Sequence, residues 1–190
     1  DINSETILVS EKHMGTAHYC GTLILDESNK RLFSCLGDAQ LQQLSVTNWN
    51  IHGSIFSIDI NTGKYHILNP DPNLNEEFSK DAVFNRGGYE ADKRIIASGF
   101  RNPWNFTIHE SGKYLVVPDV GWLDYEELNT ISLDEEIAGF YGWPYVEGPF
   151  FRQHYGRILT EGNLPPFFTS EQEIAKEIAF NESVPPRVYY

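Results

Sequence analysis

Residues 99–148 decide the fold, and they read GFRNPWNFTIHESGKYLVVPDVGWLDYEELNTISLDEEIAGFYGWPYVEG. A basic residue and a tight turn come first, at Arg101 to Trp104, and a pair of strands is predicted to follow. An Asp-Val-Gly turn, two adjacent glutamates and a Tyr-Gly-Trp-Pro turn complete the stretch. The charged and aromatic residues therefore concentrate at strand ends. Loops on a rigid scaffold commonly carry binding residues, so the stretch is predicted to hold a binding site.

A strand, a polar turn and a second strand recur three times along the chain. The repeats begin at Leu23, Phe56 and Phe106, and each turn contains Gly or Asn between β-branched or aromatic residues. Helical periodicity is confined to residues 170–178, SEQEIAKEI. This recurrence predicts an all-β fold, a β-propeller of four-stranded antiparallel blades.

The length of the chain limits how much of a propeller it can form. A blade takes about 40–50 residues, so a chain of 190 residues holds about four at most. An open or small fold is one alternative, and part of a longer protein is the one we favour. The chain also begins at Asp1 without a methionine, so we expect a processed or truncated piece.

Composition narrows the classes of partner. The formal net charge is −13 at pH 7, which disfavours nucleic acid and anionic membranes as partners. No run of 18 apolar residues occurs, so the sequence predicts no membrane span. Cys20 and Cys35 lie within one predicted hairpin, where a disulfide is one alternative and two separate thiols the other.

Four motifs, in order and spacing, resemble the glucose/sorbosone dehydrogenase family. They are GFRNPW at 99–104, DVG at 119–121, EELN at 126–129 and YGWP at 141–144. The resemblance extends more weakly upstream to HYCG at 18–21, where Cys20 stands at a position that is glycine in the family. It covers most of residues 15–148, within a single partial domain that spans 1–190. Residues 149–184 are expected to form a long loop or insertion with a short helix.

The resemblance implies an activity and its cofactors. The family's enzymes depend on pyrroloquinoline quinone (PQQ) and fold as six-bladed propellers. The Hedgehog-interacting-protein-like proteins share the fold and these motifs. The resemblance therefore implies that the chain covers only part of a six-bladed ring. It also implies PQQ- and calcium-dependent oxidation of an aldose sugar, with an external electron acceptor, in the periplasm or outside the cell. A calcium-stabilised propeller that binds protein or carbohydrate without catalysis is the alternative.

The same resemblance assigns roles near the quinone. It implies that His18 is the general base that takes the sugar hydroxyl proton, a task that suits imidazole because imidazole titrates near neutral pH. It implies that Arg101 and Asn102 contact PQQ, and a guanidinium can bond a carboxylate bidentately. From the residues alone, His18 could equally bond the backbone, Arg101 could pair with an acid, and Asn102 could cap its turn.

Calcium is the second cofactor that the resemblance implies. The carbonyl oxygens of Gly121 and Trp122 would reach the calcium that bridges PQQ. Glu126, Glu127 and the backbone of Tyr141 would help to hold a structural calcium, an ion that takes six to eight oxygen ligands. A solvated acidic turn is the alternative. His18, Arg101, Asn102 and the Gly121-Trp122 turn are predicted to face one end of the propeller axis. Three other aromatic residues, Trp104, Trp143 and Tyr145, are predicted to pack in the core, and Asp38 is expected to be a turn acid.

Overall fold

The structure, a computed structural model, describes residues 7–12, 15–19, 21–45, 50–62, 92–134, 139–151 and 184–189. These residues form strands and one short 3₁₀ turn, Gln42–Leu44, and contain no α-helix. The strands are β1 (Leu23–Asp26), β2 (Arg31–Leu36), β3 (Ser54–Asp59), β4 (Ile95–Ser98), β5 (Thr107–Ile108), β6 (Tyr114–Asp119), β7 (Glu127–Ser132), β8 (Gly139–Phe140), β9 (Val146–Glu147), β10 (Phe150–Phe151) and β11 (Val188–Tyr189).

The first sheet has the strand order β1-β2-β3-β4-β8. Strands β1 to β4 pair antiparallel, and the predicted hairpin between β1 and β2 is confirmed. Its turn is held by Asp26, which accepts hydrogen bonds from Ser28, Asn29 and Arg31. The prediction of purely antiparallel pairing is wrong at β8, which pairs parallel to β4. The two residues of β8 bring the chain back from the second sheet, so they arrive in the direction of β4.

The second sheet has the order β11-β7-β6-β5, and all its pairs are antiparallel. The predicted hairpin between β5 and β6 is confirmed, and Gly112 N donates to His109 O across its turn at 2.8 Å. Strand β11 comes from a distant part of the chain and pairs with β7. Each sheet therefore contains four antiparallel strands, as a propeller blade does. A separate pair, β9 and β10, follows the Tyr-Gly-Trp-Pro turn.

The two large sheets share one hydrophobic core. Alternate residues of β2, β6 and β7 are buried, the period expected of strands with one face against a core. Phe100 and Tyr141 stack with ring centroids 4.7 Å apart. The core includes Phe33, Cys35, Ile55, Ala97, Phe100, Phe106, Leu115, Val117, Ile131 and Tyr141. Because one core serves both sheets, the ends of their strands are fixed relative to each other.

Several predicted features lie outside the described residues. They are the second strand of the middle repeat, most of both long loops, and the helix at 170–178. Cys20 lies there as well. Cys35 is a buried thiol that donates to Pro103 O at 3.2 Å, which is the alternative of two separate thiols. In the part of the chain that is described, no helix has the length and hydropathy needed to cross a membrane.

Candidate functional site

Main-chain hydrogen bonds connect several segments at the ends of the strands. The residues after β2 bond to the segments at His18 and Arg101, and Val120, after β6, bonds to Asn102. Gly37 N donates to His18 O at 3.0 Å, and Asp38 N donates to Arg101 O at 2.8 Å. Gly37 has no room for a side chain, because a Cβ there would lie 2.6 Å from both His18 Cβ and His18 O. The glycine therefore allows three strand-end segments to meet at one point.

Asp38 lies at the centre of this meeting point and is 1 % exposed. One carboxylate oxygen, Oδ1, lies 2.5 Å from His18 Nδ1 and also accepts the Gln40 N–H at 2.8 Å. The other oxygen, Oδ2, accepts the Trp143 indole N–H at 2.9 Å. A carboxylate beside Nδ1 assigns the proton to that nitrogen, which leaves the Nε2 lone pair to accept a proton. His18 has φ 64°, in the left-handed region that non-glycine residues seldom occupy.

Arg101 reaches from the same point to the next turn. Its Nη1 donates to Val120 O at 2.9 Å and to Gly121 O at 2.7 Å. The guanidinium carbon lies 5.7 Å from the centroid of the Trp143 ring, within the range of a cation–π contact. Within the described residues Arg101 makes no ion pair, so its charge is balanced by carbonyl oxygens and an aromatic face.

The Asp119 carboxylate fixes the backbone of the Arg-Asn-Pro turn. Its two oxygens accept the main-chain N–H groups of Arg101, at 2.9 Å, and Asn102, at 2.7 Å. Burial raises the pKa of Asp119 well above its usual value, and the nearby Glu127 carboxylate adds to the rise. The Asn102 side-chain oxygen is buried and accepts no hydrogen bond from the described residues. A buried acceptor left in this way costs about 1–3 kcal/mol, and a donor on a ligand would remove that cost.

The loop after β6 is shaped by two acids of the chain itself. Glu126 Oε2 accepts the Gly121 N–H at 3.0 Å. Glu147 Oε1 accepts from Trp122 N at 2.5 Å and Leu123 N at 3.2 Å, and more weakly from the next two main-chain N–H groups at 3.4 Å. Successive N–H groups that converge on one anion form a nest. A Cβ on Gly121 would lie 1.7 Å from Tyr125 O, so this loop shape requires glycine.

Three of the five predicted calcium ligands accept hydrogen bonds within the chain. Gly121 O accepts from the Arg101 guanidinium, and Glu126 accepts from the loop. Glu127 accepts from Gly148 N at 2.6 Å and from Asn129 Nδ2 at 3.1 Å. No group of three or more His, Cys, Asp or Glu side chains in the described ranges could hold a metal ion. The donor set of carboxylate and carbonyl oxygens suits calcium, and calcium at these residues stays a prediction.

Tyr141 packs in the core through its ring and its hydroxyl. Its hydroxyl donates to Thr130 O at 2.7 Å, its main-chain N donates to Ser98 O at 2.8 Å, and its ring stacks on Phe100. Burial here links the Tyr-Gly-Trp-Pro turn to β4 and β7. The observed contacts make the Tyr141 side chain a packing group of the turn, and the role of its backbone at calcium stays a prediction.

The structure brings together His18, Arg101 and the Gly121 carbonyl, as the sequence predicts, although the roles of these residues stay predictions. Sequence reasoning missed Asp38 and Trp143, which link His18 to Arg101. The position of Asp38 was the signal that could have found it. In two hairpins an aspartate lies at the end of the second strand, Asp38 after β2 and Asp119 in β6.

Three aromatic residues of these turns were predicted to pack in the core, and two of them do. Trp143 and Tyr145 are each 3 % exposed, as predicted for packing residues. The prediction is wrong for Trp104, which is 43 % exposed. The reason is the sheet edge: Trp104 lies between the bridge at Pro103 and β5, where the described residues leave one side of its ring open to solvent.

Glu127→Gln is expected to stabilise the protein at neutral pH, in chelator, by on the order of 1 kcal/mol. Burial raises the pKa of Glu127 above 4.5, and the Glu147 and Glu126 carboxylates add to the rise. A raised pKa means that the folded state binds this proton more tightly than the unfolded state. Wild-type stability therefore falls as pH rises from about 4.5 through the folded pKa. The glutamine escapes that loss. Its oxygen can keep the Gly148 N–H bond, and its NH₂ group can donate to the Asn129 side-chain oxygen once the Asn129 amide flips.

Urea unfolding at about pH 4 and about pH 7 measures the effect. The difference between Glu127→Gln and wild type should appear near neutrality and shrink at the acid end. Glu110→Gln, on an exposed side chain, is the matched control and should change neither value. An equal destabilisation by Glu127→Gln at both pH values would contradict the prediction.

A family model described as Glucose / Sorbosone dehydrogenase matches residues 2–177. The chain belongs to this family. No curated protein matches it in sequence. The glucose/sorbosone dehydrogenase assignment agrees with the motifs that meet at Arg101, Gly121 and Trp143.

Solved structures with the same fold carry related names. The PQQ-bound form of an aldose sugar dehydrogenase from Streptomyces coelicolor is 17 % identical, with a TM-score of 0.51 over 84 % of this chain and 32 % of that one. An oxidoreductase described as a glucose dehydrogenase, from Thermus thermophilus, is 19 % identical, with a TM-score of 0.50 over 84 % and 34 %. A further glucose dehydrogenase is 18 % identical, with a TM-score of 0.56 over 91 % and 39 %.

These likenesses show the fold, which is an all-β propeller architecture. At such identities they show nothing finer. The chain spans 32 % to 39 % of the length of the structures it matches.

Proposed function

We propose that this chain carries the quinone-binding part of a PQQ-dependent sugar dehydrogenase, which oxidises an aldose at its anomeric carbon. One observation carries the proposal: a buried carboxylate bonds both an imidazole and an indole, and the indole ring lies against a guanidinium, in segments joined by main-chain bonds. Membership of the glucose/sorbosone dehydrogenase family supports the reaction class. The substrate would be an aldose, and an external acceptor would take up the electrons.

The residues present fit PQQ, a planar quinone with three carboxyl groups. Arg101 uses Nη1 for the loop carbonyls, and its other N–H groups can bond a ligand carboxylate. The buried Asn102 oxygen would accept a bond from a ligand N–H group, which removes the cost of leaving it without one. PQQ, when bound, would supply the two-electron acceptor for a hydride.

His18 would act as the general base. Its Nε2 would take the proton of the anomeric hydroxyl while the hydrogen on the anomeric carbon leaves with its electron pair, and the sugar would become a lactone. Asp38 would hold Nδ1–H throughout and stabilise the imidazolium as it forms, because the carboxylate is buried beside it. The His18 side chain is 12 % exposed, so it is not sealed in the core.

The finer features of the resemblance remain part of the proposal. We propose that the chain forms part of a six-bladed ring in a periplasmic or extracellular protein. Its two four-stranded sets supply two blades, in line with the share of the matched structures that it covers. Calcium is proposed as the second cofactor, with one ion at the Gly121 and Trp122 carbonyls and a structural ion at Glu126, Glu127 and the Tyr141 backbone. Binding it would require the loop oxygens to exchange their N–H donors for the ion.

Calcium is expected to raise the melting temperature of the protein, because a ligand of the folded state stabilises it by mass action, about 2.7 kcal/mol at a hundred times the dissociation constant. Thermal unfolding with calcium and with chelator tests this. The double variant Glu126→Ala/Glu127→Ala should lose the response. An unchanged midpoint in wild type, or an equal response in the variant, would rule out calcium at this loop.

Reconstitution of the complete protein tests the proposed function itself. PQQ and Ca²⁺ are added, PQQ binding is followed by absorbance, and aldose-dependent reduction of a dye is measured. Binding together with aldose-dependent turnover is the expected result. If the wild type binds no PQQ, the non-catalytic binding propeller becomes the better description.

A further inference from the structure

Trp143 is held from several sides in the turn between β8 and β9. It is 3 % exposed, its main-chain N donates to Gly99 O at 2.9 Å, and its carbonyl accepts from Ser45 Oγ at 3.1 Å. Segments from two parts of the first sheet therefore fix its backbone. An indole fixed in this way presents an edge and a face in set directions.

The edge of the indole contacts the carboxylate that orients the predicted base. Trp143 Nε1 donates to Asp38 Oδ2 at 2.9 Å, while Asp38 Oδ1 faces His18 Nδ1. Because Asp38 is buried, each of its donors matters for both its orientation and its charge. Without the indole N–H, Oδ2 would lose this donor, and the carboxylate could turn away from the imidazole.

The face of the same indole contacts the guanidinium. The Arg101 carbon Cζ lies 5.7 Å from the ring centroid, and the guanidinium is also tied to the Gly121 carbonyl at 2.7 Å. An aromatic face restricts the orientations of a guanidinium and favours its charge. One side chain thus touches both the cation and the partner of the base.

We propose that Trp143 is a positioning residue that couples the PQQ-binding cation, Arg101, to the orientation of the base, His18, through Asp38. The inference rests on the proposed function. It goes further in assigning two separable tasks to one indole: the N–H orients the base, and the ring orients the cation. Two other tryptophans that the structure describes, Trp104 and Trp122, are far more exposed, at 43 % and 38 %.

Two substitutions separate the tasks. Trp143→Phe keeps an aromatic face and loses the N–H, so the kcat of aldose oxidation should fall about 10-fold while the Kd for PQQ stays within about threefold. Trp143→Leu loses both, so the Kd should also rise, by about fivefold or more. A purely structural role would instead move kcat, Kd and melting temperature together in both variants. Trp104→Phe is the matched control and should move neither constant.

A second measurement does not depend on the cofactor. In the cofactor-free protein, the ¹⁵N chemical shifts of the His18 ring should change in Trp143→Phe and stay unchanged in Trp104→Phe. His18→Ala assigns these signals. Unchanged His18 shifts in a folded Trp143→Phe protein would overturn the coupling, and so would a Trp143→Phe enzyme with wild-type kcat. If wild type binds no PQQ, the proposed function fails separately, and the histidine signals still decide whether the indole orients His18.

Discussion

His18→Ala is expected to lower the kcat of aldose-dependent dye reduction by about 10²–10⁴-fold, the usual contribution of a positioned general base. The proton on the anomeric hydroxyl would then have no acceptor held by Asp38. The affinity for PQQ should change little, because the cation and the loop carbonyls do not depend on the imidazole. Steady-state kinetics and a PQQ titration of the complete protein measure both quantities.

His109→Ala is the matched control for this experiment. His109 lies in the exposed turn between β5 and β6, where its ring contacts Ser111 and Tyr114. It should leave kcat unchanged. If His18→Ala turns over as fast as wild type, the fold and the family assignment stand, but the base lies elsewhere.

Arg101→Ala is expected to raise the Kd for PQQ by about 10²–10⁴-fold. Two charge-assisted hydrogen bonds to a ligand carboxylate are lost, and each contributes about 1.5–3 kcal/mol. The same substitution also releases the Val120 and Gly121 carbonyls. Arg101→Lys keeps the charge without the planar fork, so it should recover only part of the affinity.

Lys113→Ala controls for the loss of a positive charge. Lys113 precedes β6 and pairs with Asp134 on the surface, about 20 Å along the strand from the Gly121 loop. A Kd that responds equally to Arg101→Ala and Lys113→Ala would mean that only the general field of the protein attracts the ligand. The guanidinium would then not be part of a binding site.

The hairpins could be predicted from the sequence because their information is local. The turns after Asp26 and Ile108 combine Asn, Ser and Gly with β-branched neighbours, and both hairpins form as expected. The parallel pair of β4 and β8 could not be predicted, because it depends on how the second sheet returns to the first. Local periodicity carries no information about that return.

The residues of the candidate site likewise differ in whether local sequence information is enough to find them. Arg101 and Gly121 sit in motifs of recognisable spacing, so they could be found from the sequence. The bond between Trp143 and Asp38 spans 105 positions and exists only because the two sheets share a core. A turn aspartate and a packing tryptophan look ordinary in sequence until the fold places them side by side.

The junction of His18, Asp38 and Arg101 has one more consequence. Its spacing is set by amide-to-carbonyl bonds and by the absence of a side chain at Gly37, so exchanging the side chains need not move the backbone that carries them. Such a junction keeps its backbone geometry while its side chains can be replaced. Substitutions at these positions could change the substrate, or remove catalysis and leave a binding surface, while the fold stays the same.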